Sequence, residues 1–161
     1  MPVCWDSTMY CLTCSHEVAY QSPDCPRCGV DLRYASHGYG DHISQLLRAV
    51  EAVCADELSW GDGEAVFRQF LTLAHDFLRY WRLDTHPQLS RRVAGLSPEA
   101  VEGMVQLEES LPTLNLAFEL YERGFSQNCR KTLIEANLEL EAFFRLSCAG
   151  IVSLRRAFSA R

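Results

Sequence analysis

Residues 64–83 read EAVFRQFLTLAHDFLRYWRL, and only a helix separates their apolar from their polar side chains. At about 100° per residue, Val66, Phe67, Phe70, Leu71, Leu73, Ala74, Phe77, Leu78, Tyr80 and Trp81 fall on one half of the circumference. Arg68, Gln69, Thr72, His75, Asp76, Arg79 and Arg82 take the other half. A face this wide needs two neighbours, so the pattern predicts the central helix of an α-helical core, with Phe70 and Phe77 alike buried. An aromatic row of this kind serves either a core or a cofactor pocket. Core packing is the simpler expectation.

The stretches on either side repeat the signal. Ile43, Leu46, Leu47, Val50, Val53, Cys54 and Leu58 mark one face of a helix over 41–58, and Trp60 to Gly63 reads as a turn with Asp62 as the following cap. Downstream, Ser97-Pro98-Glu99 combines a cap, a first-turn proline and a first-turn acid. Pro112 interrupts that third helix. Its apolar stripe passes through Val101, Met104, Val105 and Leu111, then shifts to Leu114, Ala117, Phe118 and Tyr121, which predicts a kink near Ser110–Pro112. Gly124 should end it. A last helix, reaching about Phe158, turns Leu133, Ile134, Ala136, Leu140, Phe143, Phe144, Cys148, Ile151, Val152 and Leu154 inward. Residues 83–96, with Pro87 and Arg91-Arg92, read as the longest irregular stretch, with a short helical turn after Pro87 as an option within it.

The N-terminal part follows other rules. Cys11-Leu-Thr-Cys14 and Cys25-Pro-Arg-Cys28-Gly29 are two CxxC pairs separated by ten residues. A two-residue gap makes a tight turn that offers two sulfurs on one side, and two such turns complete a tetrahedron. Pro26 presets the second turn, and Gly29 can take positive φ at its exit. Residues 9–32 therefore resemble a zinc ribbon of the rubredoxin-like kind. That resemblance implies a Cys4 site holding one Zn2+ ion, with iron as the other metal that four thiolates accept. It leaves the job open, because such modules serve polymerases, adaptors and enzymes alike. His16 is near enough to replace a cysteine, although four thiolates already complete the set.

The expected architecture is mainly α: a small N-terminal Cys4 zinc ribbon over 1–36, then an antiparallel four-helix bundle with a kinked third helix over 41–161. The chain has 161 residues, 48% of them hydrophobic, which is enough for one sizeable core. Its net charge of -6 is concentrated ahead of residue 85, with four acids and two arginines over 1–40 and eight acids against four arginines over 41–84. An acidic ribbon argues against nucleic-acid binding, which needs phosphate neutralisation. Neither a signal peptide nor a membrane-length apolar run is present, so a cytoplasmic setting with reduced thiols is expected.

Catalytic motifs are missing. The Glu-x-x-His pairs of a di-iron bundle do not occur, because the residues three before His42, His75 and His86 are Tyr39, Thr72 and Leu83. There is no Gly-rich phosphate loop and no nucleophile motif. The sequence thus points to a non-catalytic zinc-binding adaptor or regulatory subunit. A single-iron electron carrier and a nucleic-acid-binding ribbon protein are the alternatives. Leu116 and Leu120 on the third helix, with Leu138 and Leu146 on the last, form a second apolar row outside the core stripes. They are the expected contact surface for another protein or a second copy of this one.

Overall fold

The computed structural model describes residues 8–10, 16–19, 22–29, 40–93, 95 and 97–159. Strands β1 (Thr8–Tyr10) and β2 (Glu17–Ala19) precede helices α1 (Gly40–Cys54) and α2 (Trp60–Tyr80). A π-helical turn (Trp81–Thr85) then joins α2 to α3 (His86–Val93), and α4 (Pro98–Ser126) and α5 (Arg130–Ser159) complete the chain. The protein is mainly helical, with α1, α2, α4 and α5 packed together. None of the described helices is long and apolar enough to cross a membrane.

The backbone of the fold is the α4–α5 hairpin, by far the most extensive helix contact in the molecule. Its sequence explains why. The buried residues of α4 include Ala100, Gly103, Leu107, Ser110, Leu114, Ala117, Tyr121 and Gly124, spaced alternately three and four apart. In α5 the same alternation runs through Leu133, Ala136, Leu140, Phe143, Ser147, Gly150, Leu154 and Ala157. A period of 3.5 keeps one seam facing a partner helix along its whole length. Alternate positions in α4 are Gly, Ser, Ala and Gly, which lets the two backbones approach. A Cβ on Gly103 would stand 2.9 Å from the Gly150 carbonyl oxygen, and one on Gly150 would stand 2.8 Å from that of Gly103.

This seam bears on the kink expected near Ser110–Pro112. The helix runs uninterrupted for 29 residues with Pro112 inside it. Val101 and Val105 are exposed, so the shift of phase does not exist once Gly103 and Ser110 are counted as inward. Pro112 lies on the exposed side together with Glu108, whose carbonyl loses its usual donor there. Gly124 does not end the helix either. It is buried, and α4 continues to Ser126.

Two apolar clusters lie along the hairpin. One gathers residues of α1, the first half of α2, the second half of α4 and the first half of α5, among them Val50, Phe67, Phe70, Tyr121 and Leu140. Phe67 lies between the rings of Tyr121 and Phe125, at centroid distances of 5.2 and 5.8 Å. The Tyr121 hydroxyl donates to Asn137 Oδ1 at 2.6 Å, and Asn137 Nδ2 donates to the Leu47 carbonyl at 3.2 Å, tying α4, α5 and α1 together. Burial pushes the Tyr121 phenol well above its ordinary range, so it remains a neutral donor. The other cluster holds Val93, Ala100, Met104, Leu107, Leu154 and Ala157 at the opposite end of the hairpin.

α2 is not the central helix that its wide apolar face suggests. It starts one turn early, at Trp60, where Ser59 rather than Asp62 is the cap and accepts from the Asp62 N–H at 3.1 Å. Only Gly63, Phe67 and Phe70 are buried along it. It packs chiefly on α1 and more sparingly on α4, while Phe77 remains 38% exposed. Residues 83–93 are helical throughout, where the sequence reading allowed only a short helical turn after Pro87. The His86 N–H reaches back to the Trp81 carbonyl, and this wider turn lets the rod continue past Pro87, which has no N–H to give.

Candidate functional sites: a cysteine turn and an apolar groove

β1 and β2 pair antiparallel, with Thr8 opposite Ala19, Met9 opposite Val18 and Tyr10 opposite Glu17. The chain between the strands carries Cys11 and Cys14, which lie outside the described residues. The second pair is visible. The Gly29 N–H donates to the Cys25 carbonyl at 2.9 Å, and Gly29 takes φ +74°, the conformation expected at the exit of such a turn. Cys25 is only 2% exposed, whereas Cys28 faces solvent. Among the described residues no three His, Cys, Asp or Glu side chains gather as a metal site, but these residues include only half of the expected donors. The Cys25–Cys28 turn has the shape expected of one half of a four-cysteine metal site.

The hairpin has a seat on the helices. Apart from β2, β1 touches only α5 among the described elements. On that helix Cys148 and Val152 are buried yet belong to neither apolar cluster.

The leucines of the second apolar row do not all behave alike. Leu116, Leu138 and Leu146 are exposed, Leu138 most of all at 53%. Leu120 is half-buried against the larger cluster and belongs with the core, contrary to expectation. Ile134, expected inward, is 52% exposed one turn before Leu138. Together they flank a shallow groove between α5 and α1 that also includes Val50 and Cys54. Sequence periodicity missed Ile134 because it lies at the edge of the inward arc, where a small rotation of the helix decides its side.

A second concavity, of about 360 Å³, lies between α2 and the hairpin. Phe77, Trp81, Thr85 and Leu89 form one wall, and residues of α4 and α5 form the other. The aromatic row of α2 thus lines a groove over its second half instead of filling a core. His86 Nε2 meets Glu108 Oε1 at 2.6 Å and pins the start of α3 to α4.

The remaining described cysteines differ in chemistry. Desolvation raises the Cys148 thiol to about 12, and burial also raises Cys54, whose Sγ lies 4.0 Å from the Arg130 carbonyl. Cys129 goes the other way. The Thr132 hydroxyl, 3.2 Å from its sulfur, and then the Thr132 backbone N–H hold it below the ordinary thiol range. Alkylation follows thiolate fraction and access. Iodoacetamide near neutral pH should therefore label Cys129 before Cys54, and Cys148 only after unfolding, as read by peptide mass spectrometry. Equal rates at Cys129 and Cys148 would contradict this ordering.

No family model, curated protein or solved structure matches the chain.

Proposed function

We propose that this chain is a non-catalytic zinc-holding protein that binds another protein, or a second copy of itself, through the outer side of its helical hairpin. Cys11, Cys14, Cys25 and Cys28 hold the ion, which folds the N-terminal segment much as structural zinc folds other short modules. The zinc is structural in this reading, because four cysteine ligands leave no open position for substrate or water. A reducing compartment goes with it, since thiols there bind metal instead of pairing.

The observation that carries the binding half is the exposure of Ile134, Leu138 and Leu146 on a helix whose inward heptad is already complete. Single exposed leucines are ordinary, but Ile134 and Leu138 lie on successive turns of the outer side, with Leu146 two turns further along, and several large apolar residues exposed on one helix mark contact surfaces. The test is the double variant Leu138→Glu with Leu146→Glu. It should keep its far-UV dichroism and thermal transition while losing self-association or partner capture. A double variant that unfolds would place these leucines in the core, and one that associates like the parent would remove the surface from consideration.

A further inference from the structure

The arginines between residues 41 and 84 are not used alike. Arg48 donates through Nε to the Ser44 carbonyl at 3.4 Å. Arg68 forks onto Glu122 of α4, with Nη2 2.8 Å from Oε2, and reaches Glu64 at 3.2 Å. Arg79 and Arg82 differ. Among the described residues their side chains make no hydrogen bond or ion pair, although the chain around them is acidic.

The cause lies on the facing helix. Arg68 meets α4 at Glu122 and His75 meets it at Phe118, so later turns of α2 pass to earlier turns of α4. Where the next turn brings Arg79, α4 offers Asn115 instead of an acid, and Asn115 also makes no hydrogen bond among the described residues. His75, Arg79 and Arg82 are spaced four and three apart and form one stripe of α2. With Asn115 they border a concavity of about 310 Å³, completed by Leu78 and Leu83, which shares no residue with the groove at Phe77 and Trp81. The His75 ring stands edge-on to Phe118 at a centroid distance of 6.0 Å, and its N–H is one more donor. Among the described residues no carboxylate lines this space. Asp84 accepts from Gln88 at 2.7 Å and Glu108 meets His86, so both are engaged elsewhere.

We propose that this concavity binds a phosphate monoester of a small apolar body, its head between Arg79 and Arg82 and its body along Leu78 and Leu83. Charge selects the head. A phosphate monoester carries close to two negative charges near neutral pH, which two unopposed guanidiniums match. Each guanidinium also presents a planar fork of N–H donors to phosphate oxygens, with His75 and Asn115 as further donors. Volume limits the body, because at roughly 30 Å³ per water-sized group there is room for about ten non-hydrogen atoms. This inference stands apart from the metal site and from the outward leucines.

Phenyl phosphate is the probe, titrated into the full-length protein slightly above neutral pH and followed by the NMR resonances of the arginine side chains. One saturating transition is expected at Arg79 and Arg82, with a Kd on the order of 0.1 mM. Phenyl sulfate, of like shape but with one charge, should bind roughly tenfold more weakly. Arg79→Gln and Arg82→Gln, at exposed and unpaired positions, should each weaken phenyl phosphate by about tenfold. Asn115→Asp should abolish binding, because it gives Arg79 and Arg82 the acid that Glu122 gives Arg68. Arg92→Gln removes the same charge from an exposed site on α3 outside this lining and should change nothing. A folded wild type that does not bind phenyl phosphate overturns the proposal. So does equal affinity for phenyl sulfate, an Arg92→Gln loss as large as that of Arg79→Gln, or undiminished binding in Asn115→Asp. A single-stranded oligonucleotide held more tightly than phenyl phosphate at these arginines would also overturn it, by assigning the stripe to phosphodiesters.

Discussion

Gly150→Val is expected to destabilise the protein by about 3 kcal/mol, at the upper end of what overpacking costs. The reason is local and backbone-made. A Cβ at Gly150 stands 2.8 Å from the Gly103 carbonyl oxygen and 2.8 Å from Leu107 Cγ. Leu107 can rotate, but the carbonyl belongs to α4 and can yield only if the helices part. Separating them loosens the seam for several residues each way, so the cost exceeds the roughly 0.5 kcal/mol of helix propensity that replacing glycine returns. Gly103→Val should behave alike, and the two changes together should cost less than their sum because they break one contact. Gly61→Ala is the control. Nothing lies within 4 Å of its added methyl, and a neutral or slightly stabilising result is expected. Denaturant unfolding followed by circular dichroism measures all four proteins. A Gly150→Val protein as stable as Gly61→Ala would mean that the hairpin seam is not closely packed.

Phe67→Ala should cost about 3–5 kcal/mol, the range for a fully buried phenylalanine. Phe67 is inaccessible to solvent and lies between the rings of Tyr121 and Phe125, so its loss opens a cavity where α2 meets α4. Phe77→Ala, ten residues along the same helix, should cost under about 1.5 kcal/mol because its ring is 38% exposed at the groove. The contrast between the two tests whether α2 is anchored at one end only. Equal large losses would restore it to the centre of the core.

The helices were legible in the sequence because their apolar positions recur at the helical period. What escaped had physical causes. In α4 the inward row is half made of glycine, serine and alanine, and an apolar pattern search passes over Gly103 and Ser110 in favour of the outward Val101 and Val105. Yet those small residues are what let α5 approach. In α2 the apolar arc was read correctly, but its use was not, since a face lining a groove has the same composition as one filling a core. Residues 86–93 carry a proline and few apolar side chains, and a π turn that shifts the hydrogen-bond ladder by one residue leaves no sequence period to find. Leu120 and Ile134 exchanged places for a simpler reason. Each sits at the edge of its helix's inward arc, where tertiary packing decides the side.

The cysteine turn was legible in full where it is visible. Gly29 takes the positive φ that its position after Cys25-Pro-Arg-Cys28 demands. Cys11 and Cys14 lie outside the described residues, so the four-thiolate centre rests on the spacing of the pairs and on this one turn.

The most direct test of a zinc-folded segment joined to a self-standing helical hairpin is to count metal in the purified protein while chelator is added. Zinc and iron are measured by plasma mass spectrometry, and helix content by circular dichroism in the same samples. The prediction is one zinc ion per chain, lost in Cys25→Ser and Cys28→Ser and removed by chelator with most of the helical signal retained. Iron in a red protein, no metal in a folded protein with reduced thiols, or loss of the helices together with the metal would contradict it.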